Sequence, residues 1–99
     1  MRKPIRIEDN GHAGYVHYID APIVETIDVR ADCAVAADLD ADGQVVGIEY
    51  LSFDLDVLAS AKAFAASRDL EFPSALRCER LAAMTSLADI RKDRGPARP

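Results

Sequence analysis

The sequence predicts an α+β domain: a four- to five-stranded antiparallel β-meander followed by two α-helices, packed on the sheet or on a second subunit. In the first half, short apolar runs alternate with period two and recur about every ten residues, the spacing of a sheet joined by short turns. In the second half the apolar period lengthens to three and four, as an amphipathic helix requires. The third observation is Asp42-Gly43, flanked on both sides by apolar residues, which is a strong hairpin signal.

Ile5, Arg6 and Ile7 can form a first strand, broken by Asp9-Asn10-Gly11. Tyr15 to Ile19 is a second, rich in aromatic and β-branched residues, and Asp20-Ala21-Pro22 stops it. Ile23 to Val29 is a third, with Ile23, Ile27 and Val29 on one face and Glu25 interrupting it. Arg30-Ala31-Asp32 turns the chain into the strands on either side of Asp42-Gly43, with Asp40 and Val45 paired close to the turn. The sheet thus covers about 4–51. Ser52 or Asp54 can cap a helix over about 54–68, with Leu55, Leu58, Ala61, Phe64 and Ala65 as its apolar stripe. Ser74 opens a second helical pattern to about 92, through Leu81, Met84, Leu87, Ala88 and Ile90. Residues 1–94 read as one domain and 95–99 as a flexible tail.

Asp38 to Glu49 also fits the calcium-loop pattern D-x-D-x-D-G-x5-E at every specified position. A calcium loop lies between helices and folds its last glutamate back onto the ion. Here both flanks alternate with period two, so the hairpin is the stronger expectation and the calcium loop the alternative.

Composition limits the function. Seventeen acidic against twelve basic residues leave a net charge of -5. That disfavours nucleic acid, whose phosphates need clustered Lys and Arg, and suits a basic protein partner. A chain of 99 residues buries about two-thirds of its surface alone, so self-association, a homodimer in the simplest case, is a natural way to gain more. Cys33 and Cys78 have no CxxC spacing and read as free, buried thiols in a reducing cytoplasm. A zinc site would have to gather Cys33, Cys78, His12 and His17 from four elements, so neither metal nor cofactor is expected. The first eight residues have no apolar stretch and do not read as a signal peptide, and no stretch has the length of a membrane span.

No nucleophile motif or phosphate loop is present, so the sequence leans away from an enzyme. Glu25 and Glu49 each interrupt an apolar strand face. With His17 or Tyr50 nearby they could form an acid/base or ligand site in a pocket between sheet and helices. The plainer expectation is that these acids sit on half-exposed faces or meet Arg6 or Arg30. A sheet with only one face shielded by helices would leave an apolar face for a neighbour.

Two blocks carry a resemblance: Tyr18 to Val29, and Asp38 to Leu51. In order and spacing they resemble the domain of unknown function 2283 family of small prokaryotic proteins. The resemblance implies a strand–turn–strand for the acidic-glycine segment. It also implies a small acidic partner protein, in some members antitoxin-like beside a basic toxin, and brings no catalytic residues. The chain departs from that pattern after Leu51, where about fifty further residues add the helical extension.

Overall fold

The computed structural model describes residues 1–73. Five strands form one sheet: β1 (Arg6–Asp9), β2 (Gly14–His17), β3 (Glu25–Asp28), β4 (Val35–Leu39) and β5 (Val45–Tyr50). A single helix among the described residues, α1 (Leu55–Ser67), follows them. The expected second helix over 74–92 and the tail over 95–99 lie outside the described residues.

The sheet is antiparallel throughout, but its order is β1-β2-β5-β4-β3, not the expected meander. β5 inserts between β2 and β4, and β3 is left on an edge. The physical reason is in the side chains. Val16 of β2 and Ile48 of β5 are opposite one another and both fully buried. Glu25, Thr26 and Asp28 of β3 are exposed and suit an edge, where charge also discourages stray pairing.

The β4–β5 connection is the expected hairpin. The Gly43 amide donates to the Asp40 carbonyl, and the Asp40 amide donates to the Gln44 carbonyl. The Asp40 carboxylate accepts from the amides of Asp42 and Gln44, both at 2.9 Å, satisfying the loop's backbone. Gly43 has φ +77°, the left-handed region that glycine enters without a Cβ penalty. Asp40 therefore faces Gln44 across the turn, one residue short of the expected Val45. The ladder then slips, Asp38 pairing with Gly47 and Leu39 with Val45, which leaves Val46 as a bulge. The bulge explains how Val45 and Val46, neighbours in sequence, are both buried. The Val46 carbonyl is also used, accepting from the Tyr18 amide at 2.8 Å.

One face of the sheet carries the core. Ile7, Val16, Ile48, Ala37 and Ile27 are successive cross-strand partners across all five strands. α1 packs over the β4–β5 part of that face, burying Val57, Leu58, Ala61 and Ala65. Leu55, expected in the stripe, is instead 59% exposed, and Val57 takes its place. Asp54 is the N-cap, and Asp56 adds favourable charge in the first turn. Beyond α1, Asp69 turns at φ +59° and the chain returns beside the N-terminus. There the Arg2 amide donates to the Asp69 carbonyl, the Glu71 amide donates to the Arg2 carbonyl, and the Tyr18 hydroxyl donates to the Glu71 carbonyl at 2.8 Å. Leu70 and Phe72 join the core.

Arg30 fixes the helix to the sheet. It meets both Asp32 carboxylate oxygens, at 3.0 and 2.9 Å, and donates to the Asp56 carbonyl and the Ser60 hydroxyl. The hydrogen bonds from Arg30 hold the Asp32 carboxyl below its usual range. Cys33, expected to be buried, is exposed in this turn at φ +62°. The negative charge of Asp28 pushes its thiol upward, away from thiolate reactivity.

Candidate functional site

The opposite face of the sheet is covered by no element among the described residues, and it is polar rather than apolar as expected. Strand register lays it out in two rows. One runs Glu8, Tyr15, Glu49, Ala36, Asp28; the other runs Arg6, His17, Gly47, Asp38, Thr26. Each residue is the direct cross-strand partner of the next. Four carboxylates thus share one open surface with one arginine.

Tyr15 organises its centre. Its ring lies across Gly47, where an added Cβ would come within 2.3 Å of ring atoms. The close approach lets its hydroxyl donate to one oxygen of Asp38 at 2.7 Å, while Thr26 donates to the other at 2.6 Å. Asp38 is thereby held across three strands. Burial first, and then the hydrogen bond and charge of Asp38, push the Tyr15 phenol far above its ordinary range. Glu49 and Glu8 act in the same direction. The His17 ring meets Tyr15 edge-on at 5.8 Å, and its Nδ1 lies 3.0 Å from Arg6 Nη2. Arginine can only donate, so Nδ1 accepts and the neutral ring carries its proton on Nε2. Arg6 also meets Glu8 at 3.0 Å, an exposed pair that contributes little to stability.

The sequence-derived residues divide between the faces. His17 and Glu49 are both on the open face, on adjacent strands. Tyr50 is on the core face, 1% exposed, with its ring over Gly14 and edge-on to Phe53 and Phe72. Glu25 is opposite buried Leu39 on edge strand β3, also away from the open face. The four are not brought together, and Glu25 and Glu49 are on opposite sides of the sheet. Of the calcium pattern, Asp38 is held by Tyr15 and Thr26, Asp40 caps the turn, and Glu49 stands along β5. Among the described residues, no three of His, Cys, Asp or Glu converge as a metal site would need.

In the sequence Tyr15 is one of a run of strand-forming residues, and nothing there marks Glu8, Thr26, Asp28 and Asp38 as a set. Their common parity becomes visible only once β5 is placed between β2 and β4. An open depression of about 320 Å³ sits at one end of the face, with Glu8, Asn10, Tyr15 and Glu49 among its walls. The surface suits contact with cations rather than enclosure of a small molecule. No helix among the described residues is long and apolar enough to cross a membrane. Comparison with known proteins finds no matching family model, curated protein or solved structure.

The raised phenols carry a pH signature. Tyr18 is also pushed upward, by burial and then by the charge of Glu71. In the unfolded chain each phenol ionises near 10, while the folded protein keeps both protonated well above that. Their stabilisation is therefore complete below pH 10 and is lost as pH rises beyond it. Tyr15→Phe should cost about 1 kcal/mol at neutral pH through the lost bond to Asp38. With Tyr18→Phe it should flatten the alkaline fall in urea midpoint between pH 9 and 11. An unchanged alkaline slope in the double variant would refute this assignment.

Proposed function

We propose that this chain is a non-catalytic acidic interaction protein of the cytoplasm. Its open sheet face receives a basic protein segment, which it neutralises or scaffolds in the manner of an antitoxin. The observation that supports this most is the arrangement of Glu8, Glu49, Asp28 and Asp38 on a single face, with only Arg6 among them. Residues 1–73 carry fourteen acids against six bases, so the excess is concentrated in the described part. Tyr15 adds an aromatic surface on which a guanidinium can stack. The resemblance of Tyr18 to Val29 and Asp38 to Leu51 to the domain of unknown function 2283 family belongs to the same proposal. The strand–turn–strand at Asp38 to Glu49 agrees with it.

Binding of a ten-arginine peptide by the 99-residue chain at 50 mM salt tests the reading. Glu8→Gln/Asp28→Asn/Glu49→Gln should weaken it about tenfold or more, with most of the loss in the association rate. The control Asp20→Asn/Asp42→Asn/Asp69→Asn removes equal charge from other exposed positions and should weaken it far less. Equal losses in the two variants would reduce the face to undirected charge.

Homodimerisation is the second part of the proposal. Exposed Ile23 (51%) and Val24 (62%) precede strand β3, an edge strand among the described residues, and offer apolar surface to a second copy. Light scattering on the full chain and on Val24→Asp decides it. A monomer at every concentration would exclude it.

A further inference from the structure

The acids of the open face have a potential counterpart in the chain itself. Residues 74–99 hold six of the twelve basic residues (Arg77, Arg80, Arg91, Lys92, Arg94 and Arg98) against three acids. The described part is thus at -8 and the remainder at +3, a separation of sign hidden by the overall -5. We propose that residues 74–99 of the same chain dock on the open face of the sheet and compete there with the basic partner. The inference rests on the reading of that face as a cation-binding surface and adds its regulation by an internal competitor.

Place and reach support the choice of occupant. Pro73 shares a groove of about 350 Å³ with Lys3 to Ile7, so the chain leaves the described part at the β1 edge of the sheet, next to Arg6. Five strands at a spacing of about 4.8 Å put β3 some 19 Å from β1. Twenty-six residues reach that far even at the helical rise of about 1.5 Å per residue. A segment tethered beside its site acts at an effective concentration in the millimolar range, so modest Coulombic attraction is enough to occupy the face. The attraction is between exposed charges and is therefore screened by salt. A second copy could supply the same segment, but only by giving up that tether.

The test uses the full chain in two measurements. A nitroxide on Cys78, in a Cys33→Ser background, should broaden the amide resonances of Tyr15, Ala36, Asp38 and Gly47 at low salt. The broadening should largely disappear at 0.5 M salt. Mixing labelled with unlabelled chains distinguishes the sources, because broadening that passes between molecules would overturn the same-chain assignment. No broadening on the open face, or broadening indifferent to salt, would overturn the proposal. In the second measurement, Arg77→Gln/Arg91→Gln should bind the ten-arginine peptide about fivefold more tightly than the unaltered chain. The control Lys62→Gln/Arg68→Gln, on α1, should gain less than twofold. Equal gains in both would reduce the effect to net charge and refute competition. If neither form binds the peptide, the partner-binding reading fails, while the nitroxide measurement still decides whether the segment docks.

Discussion

Replacing Gly14 by alanine is expected to destabilise the protein by about 3 kcal/mol, the upper end of what overpacking costs. A Cβ at this position would lie 2.3 Å from both Cζ and Oη of Tyr50. Tyr50 cannot swing aside: it is 1% exposed and wedged between Phe53 and Phe72, each at a ring separation of 5.8 Å. Gly47→Ala makes an equally close approach to Tyr15, at 2.2 Å. Tyr15 is only half-buried and can rotate outward, giving up the bond to Asp38, so the cost should be about 1–2 kcal/mol. Urea midpoints for the two variants should keep this order. If Gly14→Ala were the milder of the two, Tyr50 would have to be far less confined than its neighbours imply.

Leu58→Ala should cost about 3 kcal/mol, and Leu55→Ala no more than about 0.5. Leu58 is 1% exposed and is the largest fully buried side chain of α1; its buried companions are Val57, Ala61 and Ala65. With two of those four already alanine, removing the leucine leaves a cavity that the helix has little side chain to refill. The loss should appear first as faster hydrogen exchange in α1, since few other contacts hold it beyond those of Arg30. Comparable losses at Leu55 and Leu58 would mean that α1 sits on the sheet in a different rotation.

The five strands, the Asp42-Gly43 turn and the first helix were legible in the sequence because each is written in local terms. Alternation marks the strands, a residue that tolerates positive φ marks the turn, and a three-to-four period marks the helix. The order of the strands is not local. That β5 leaves β3 on the edge and joins β2 depends on Val16 meeting Ile48 across the intervening chain, which no window of sequence contains. The candidate site inherited the same limit. Glu49 was read as interrupting an apolar face because Val45, Gly47 and Leu51 share its parity. The bulge at Val46 turns Val45 into the core and leaves Glu49 on the open side. His17 and Glu49 stand on one face of adjacent strands, whereas Tyr50 and Glu25 share neither that face nor its surroundings.

The strand order also has a kinetic consequence. β1 and β2 zip across a short loop, as do β3, β4 and β5 in succession, so two partial sheets can form from contacts near in sequence. The one joint between them is β2 against β5, where Gly14 meets Tyr50 and Val16 meets Ile48, and it must close the whole intervening chain. Tyr50 over Gly14 on one side and Tyr15 over Gly47 on the other clasp that joint once it has formed. Until then, β2 and β5 are raw sheet edges that bare Val16 and Ile48, residues fully buried in the finished protein. The half-assembled chain is the aggregation-prone species, and crowded synthesis in a host would select for whatever closes this seam fastest.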